Sequence, residues 1–133
     1  MIDFHQYFEQ ELHAHETVLN AVRDTMADDF VRMLDVWTKA IDSGNKIVFF
    51  GNGGSAGDAQ HLATELTIRY IHDRAPIAAL ALTTDSSTLT AAGNDLGFEQ
   101  LFSRQIAALG KAGDVAVGIS TSGASPNVIA GLE

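Results

Sequence analysis

An α/β fold with a parallel sheet is predicted by a design that recurs along the chain. Lys46-Ile47-Val48-Phe49-Phe50 runs into Gly51-Asn52-Gly53-Gly54-Ser55, and Asp114-Val115-Ala116-Val117-Gly118-Ile119 runs into Ser120-Thr121-Ser122-Gly123-Ala124-Ser125. Each is an apolar run of strand length that ends in small turn-forming residues and then passes into a helical pattern. A third run, Ile77 to Leu82, is introduced by Pro76 and ends in the Thr, Asp and Ser residues of 83–87. Strands that alternate with helices pair in parallel, and ligands of such open sheets gather at the carboxyl ends of the strands, where all three turns lie.

Taken in order, residues 2–23 place Phe4, Tyr7, Phe8, Leu12, Leu19 and Val22 at three- and four-residue spacings, which predicts an amphipathic helix. Thr25 to Asp29 offers capping residues, and Phe30, Met33, Leu34, Trp37 and Ile41 form the stripe of a second helix that Gly44 stops. These two helices either cover a face of the domain or pair with copies of themselves. After the first strand a helix is expected from Ser55 to Tyr70, and after the second a short one from Thr88 to Ala92, closed by Gly93-Asn94-Asp95. Phe98 to Leu109 reads as a further helix, and Ser125-Pro126 as the N-cap and first position of the last. That helix has barely two turns before Glu133, so the chain reads as the N-terminal portion of one longer domain, residues 1–44 helical and 45–133 the βαβ core.

Composition narrows the function. A length of 133 residues suits one domain, and 46% apolar with 19% charged residues is ordinary for a globular protein. A net charge of -9 opposes nucleic-acid binding, so an anionic ligand must be held locally, for which neutral donors are suited. Without cysteine there is neither disulfide nor thiolate zinc site, and the start Met1-Ile2-Asp3-Phe4-His5 lacks the features of a signal peptide. No apolar run approaches the ~20 residues of a membrane span, so a cytoplasmic location without membrane contact is expected.

The first turn lacks both the G-x-G-x-x-G spacing of a dinucleotide site and the lysine of a nucleotide-binding P-loop. Alone it could be a tight turn without a ligand; alternatively, its glycines let backbone N–H groups approach an anion. The second turn favours the ligand, because one hydroxyl suffices for a cap whereas Ser120, Thr121, Ser122 and Ser125 supply four. Two such turns suggest a phosphorylated small molecule.

On the helix after the first turn, Ala59, Ala63 and Leu66 share one side, while Asp58, His61 and Glu65 lie within about 60° of one another on the other. His61 and Glu65, four residues apart, could hold a divalent metal, could pair as a base and its orienting group, or could be a solvated pair. Asn94-Asp95 could bond sugar hydroxyls or simply form a turn. His5, His13, His15 and His72 have no matching constellation, and Phe4, Tyr7, Phe8, Phe30 and Trp37 read as helix packing.

Together the first turn, Asp58-Ala59-Gln60-His61-Leu62-Ala63-Thr64-Glu65-Leu66-Thr67, Gly93-Asn94-Asp95-Leu96-Gly97-Phe98 and Gly118-Ile119-Ser120-Thr121-Ser122-Gly123 resemble the sugar isomerase (SIS) domain family, on its phosphoheptose isomerase branch. The resemblance implies a flavodoxin-like three-layer sandwich whose N-terminal helices pack in a homotetramer, with active sites built between subunits. It implies interconversion of sedoheptulose 7-phosphate and D-glycero-D-manno-heptose 7-phosphate through an enediol, in the supply of lipopolysaccharide or other surface-glycan precursors. By the same carry-over Asn52, Gly53, Gly54, Glu65, Asn94, Asp95, Ser120, Thr121, Ser122 and Ser125 line the substrate site. Glu65 is then the catalytic base, and His61 and Glu65 bind one zinc per site. A glutamine and a histidine that complete the metal site in the family match nothing up to Glu133. A non-enzymatic SIS relative that binds a replication-initiator protein, or a sugar-phosphate sensor, is the alternative; the former lacks a carboxylate where Glu65 stands.

Overall fold

A computed structural model describes residues 2–133, which divide into two compact units, one up to Val36 and one from Trp37 to Glu133. In the first, helix α1 (Phe4–Thr25) begins at Asp3, whose carboxylate accepts the N–H groups of His5 and Gln6 at 3.0 and 3.2 Å. Met26 closes it by donating its N–H to the Val22 carbonyl. Helix α2 (Ala27–Asp42) follows at once, with Asp28 and Asp29 inside its first turn, where carboxylates favour the helix dipole, rather than ahead of it as caps. No residue of α1 is buried, and Phe4, Tyr7, Phe8 and Phe30 are all more than half exposed. These four side chains, expected to pack, thus keep more than half of their surface open in the first unit.

The second unit holds strand β1 (Ile47–Gly51), helix α3 (Gly54–Thr67), strand β2 (Ala79–Ala81), helix α4 (Ser86–Asp95), a 3-10 turn (Phe98–Gln100), helix α5 (Leu101–Leu109), strand β3 (Val115–Ile119) and helix α6 (Pro126–Ala130). All strand pairs are parallel in the order β2-β1-β3, with Ile47 opposite both Ala79 and Val115 and Gly51 opposite Ile119. This is the start of a flavodoxin-like order, whose ligand crevice opens between β1 and β3.

Several boundaries differ from those read off the sequence. β2 covers only three of the six expected residues, because the Ile77 N–H turns to the Leu66 carbonyl instead of the ladder. α3 stops at Thr67 rather than Tyr70, where the Arg74 guanidinium takes the carbonyls of Glu65 and Leu66 at 2.6 and 2.9 Å. α4 is twice the expected length: Asp85 caps its start, and Gly93, Asn94 and Asp95 form its last turn. The helix expected from Phe98 opens with a 3-10 turn.

β1 is buried throughout, and its alternation builds two cores. Ile47 and Phe49 face Ala59, Ala63 and Leu66 of α3 and Trp37 and Ile41 of α2, whereas Val48 and Phe50 face Leu82, Leu101, Phe102 and Val128. Helices thus cover both faces of the sheet. Trp37 meets Phe49 edge-on at 5.6 Å, and Phe50 lies 5.1 Å from Phe102. Each buried phenylalanine contributes about 1.5–3 kcal/mol relative to exposure.

At the amino edge, Asp114 joins the starts of β1 and β3. Its carboxylate accepts the backbone N–H groups of Lys46 and Lys111, both at 2.9 Å, and pairs with the Lys46 ammonium. Burial alone would raise this carboxyl, but the Lys46 side-chain hydrogen bond, the two N–H groups and the Lys46 charge outweigh it and hold it down at about 2.

Candidate active site

The carboxyl edge of the sheet places the two turns side by side. Gly51 and Ile119 are the last paired residues of β1 and β3, so Asn52 and Ser120 leave the sheet at the same level. A Cβ on Gly51 would lie 2.7 Å from the Ile119 carbonyl oxygen and 2.8 Å from Ser55 Cβ, so only glycine allows this approach. Gly53 turns the chain into α3 with φ of +56 and ψ of -121, a backbone conformation open to glycine and disfavoured for any residue with a Cβ. Gly53 and Gly54 are exposed, presenting their backbone at the open end of α3, where its dipole favours an anion.

In the second turn the hydroxyls bond to one another. Ser120 Oγ lies 3.0 Å from Ser125 Oγ and 3.3 Å from Ser122 Oγ, and it accepts the Gly123 N–H at 3.1 Å. Ser122 Oγ accepts the Ala124 N–H at 3.2 Å. Ser125 occupies the N-cap of α6 with Pro126 next, as expected, yet its side chain makes no capping bond. The hydroxyls therefore gather around the turn rather than serving the helix. Thr121 is exposed beside them.

Two residues that sequence reasoning passed over hold this edge together. Asn127, 2% exposed, donates its amide to Asn52 Oδ1 and accepts from Asn52 Nδ2, both at 2.8 Å. Gln60 donates to the carbonyl and hydroxyl of Thr83, which in turn donates to the Ala56 carbonyl, tying α3 to the turn after β2. A pocket of about 160 Å³ lies against the first turn, lined by Asn52, Gly53, Thr83, Leu89, Phe98 and Phe102. A larger one, about 310 Å³, opens along β3 and α5, where its one carboxylate, Asp114, is already engaged by Lys46.

His61 Nε2 stands 3.1 Å from Glu65 Oε1 on α3, His61 exposed and Glu65 half-buried. The pair is thus on one face, opposite Ala59 and Ala63, as the spacing implied. Glu65 follows Gly54 by eleven residues, however, a rise of about 16 Å along the helix, so it does not converge on the two turns of its own chain. Asn94 Nδ2 bonds Asp95 Oδ1 at 2.7 Å in the last turn of α4, and among the described residues neither is hydrogen-bonded to either turn.

An imidazole and a carboxylate suit zinc by chemistry, but no group of three or more His, Cys, Asp or Glu capable of holding a metal occurs among the described residues. Zinc takes four ligands in structural sites and three plus water in catalytic ones, so His61 and Glu65 do not form a zinc site unaided.

The family model for the SIS domain matches residues 8–133. Phosphoheptose isomerase of Paramagnetospirillum magneticum is 52% identical over 129 residues, 97% of this chain and 67% of that protein. The chain belongs to the SIS domain family, among the phosphoheptose isomerases. Phosphoheptose isomerase of Aquifex aeolicus is 55% identical over 107 residues, covering 80% of this chain and 56% of the other. The phosphoheptose isomerase GmhA structure from Neisseria gonorrhoeae superposes with a TM-score of 0.90 at 41% identity, covering 98% of this chain and 67% of that one. That from Francisella tularensis gives 0.93 at 29% identity, with 98% and 69% covered. The chain spans 56% to 69% of the length of these four relatives.

Proposed function

We propose that the protein is an aldose-ketose isomerase that interconverts sedoheptulose 7-phosphate and D-glycero-D-manno-heptose 7-phosphate through an enediol. The observation that carries this is its 52% identity to a phosphoheptose isomerase across 97% of the chain. The side-by-side turns of β1 and β3 support it, since they offer neutral donors for a phosphorylated sugar.

Ser120, Thr121, Ser122 and Ser125 hold the phosphate with hydroxyl and backbone donors, which suits a chain of charge -9 that has no cation at this turn. Asn52, Gly53 and Gly54 bind along the sugar, and Asn94 and Asp95 bind its hydroxyls. Phosphate binding far from the reacting carbons orients the substrate. In the ketose direction the Glu65 carboxylate removes a proton from C1 and gives it to C2, while the hydroxyl proton passes from the C1 oxygen to the C2 oxygen, so that the enediol closes to the aldose; His61 fixes the direction of the carboxylate. No step here runs through zinc; His61 and Glu65 supply two of the ligands in a zinc-bound form, and the others come from outside the described residues.

Because Glu65 stands about 16 Å along α3 from the glycine turn, this reading places Glu65 of one chain against the turns of another. A homotetramer joined through the N-terminal helices provides such sites. The exposed Phe4, Tyr7 and Phe8 of α1, and an apolar groove of about 540 Å³ among Val22, Met26, Phe30 and Met33, support that assembly. No helix of the described residues is long and apolar enough to cross a membrane.

The test is NMR of sedoheptulose 7-phosphate with the protein and zinc in D2O. Deuterium entering the carbon next to the carbonyl, and lost in Glu65→Gln, is the expected result. Sugar-phosphate binding without exchange would leave a sensor instead.

A further inference from the structure

We infer that Asn127 is a positioning residue that sets the carboxamide of Asn52, and through it the register between the glycine turn and the hydroxyl turn; this rests on the sugar-phosphate reading above. The two amides close a ring of two hydrogen bonds, each 2.8 Å, between residues 75 apart in the chain. Asn127 is 2% exposed and Asn52 half-buried, so neither amide can exchange its partner for water without exposing the other to an unmet donor and acceptor.

The ring spends one N–H and one oxygen lone pair of Asn52. A carboxamide carries two of each, so one donor and one acceptor remain, and Asn127 dictates their direction. Asn52 leaves the sheet beside Ser120, since the preceding residues Gly51 and Ile119 are paired. Asn127 follows the hydroxyl turn by two residues and reaches back across this gap. A ligand whose phosphate sits on Ser120 to Ser125 and whose sugar runs past Asn52 must match the spacing that the amide ring fixes. The hydroxyl turn itself is organised by Ser120, Ser122 and the Gly123 and Ala124 N–H groups, none of which bonds Asn127. Loss of Asn127 should therefore weaken sugar-phosphate binding while leaving the grip on a bare phosphate.

The experiment is calorimetric titration of sedoheptulose 7-phosphate, and separately of inorganic phosphate, into the 133-residue chain and its N52A, N127A and N52A/N127A variants. Each single variant should bind the sugar phosphate about tenfold more weakly, the double variant no more weakly than either, and inorganic phosphate affinity should stay within about twofold. Losses that add in the double variant, an equal loss for inorganic phosphate, or unchanged affinity in N127A would overturn the inference. If N127A fails to fold, N127L replaces it in the cycle, because it is near in volume, carries no charge that would disturb the phosphate control, and can form neither hydrogen bond of the ring. A wild-type chain that binds no sedoheptulose 7-phosphate would overturn the functional reading and this inference together, whereas a wild type that binds beside indifferent variants would sink the inference alone.

Discussion

Asp114 holds Lys46 twice, once by its backbone N–H at 2.9 Å and once by its ammonium, so the first residues of β3 and the approach to β1 are joined by a single carboxylate. Because this carboxyl is held at about 2, below its ordinary value near 3.8, the charged form is favoured by folding. The stability it contributes is complete above about pH 4 and is lost as pH falls toward 2. Asp114→Asn should lower stability at pH 7 by about 1–3 kcal/mol, and the gap between variant and wild type should close on acidification through that window. Urea midpoints at pH 7, 4 and 2 would check it, and a gap that widened in acid would contradict it.

Gly51→Ala tests the contact between the turns. Its Cβ would press on the Ile119 carbonyl and on Ser55, both under 3 Å, and neither is a flexible side-chain tip. A loss of about 1–3 kcal/mol is expected, with weaker sugar-phosphate binding because the crevice is forced open. Thermal melts with and without ligand would show both effects.

Ser125→Ala separates capping from ligand binding. An N-cap serine that bonds its helix costs about 1 kcal/mol when removed. Here the hydroxyl bonds Ser120 instead, so the melting temperature should hardly move while sugar-phosphate affinity falls several-fold. A large loss of stability with affinity unchanged would return Ser125 to an ordinary cap.

Glu65→Gln should reduce carbon-proton exchange by about 10²–10⁴-fold with little effect on substrate affinity, since it removes the base but not the binding donors. Mixing inactive Glu65→Gln chains with inactive Gly53→Ala chains tests the shared site. Partial return of exchange is expected if base and turns come from different chains, and none if one chain supplies both.

The strands and turns were legible because their signals are local. Val48, Phe49 and Phe50 followed by glycine read as a buried strand and a turn without knowledge of the neighbours. The end of α3 was not legible, since the carbonyls of Glu65 and Leu66 are taken by groups well beyond it in the chain, the Arg74 guanidinium and the Ile77 N–H. The three-residue β2 was overestimated for the same reason: Ile77 has the composition of a strand but gives its N–H to Leu66. Within the candidate site, the hydroxyl cluster and the shared face of His61 and Glu65 followed from spacing. Asn127 did not, because an asparagine beside a proline in a helix of five residues carries no sign that it will be buried against Asn52. The wide separation of Glu65 from the glycine turn follows from helix rise alone.

β1 carries four bulky apolar residues in succession, Ile47 to Phe50, and polarity cannot tell one of its faces from the other. A slip of one residue during folding would exchange Phe49 and Phe50 between the two cores at little cost in hydrophobic burial. What rejects the error is Gly51. The slipped chain would bring a phenylalanine, or the Asn52 side chain, against the Ile119 carbonyl, where there is no room for a Cβ. The same glycine that lets the turns approach therefore acts as a proofreading pin for strand pairing, and variants at this position should accumulate misregistered, aggregation-prone species on refolding.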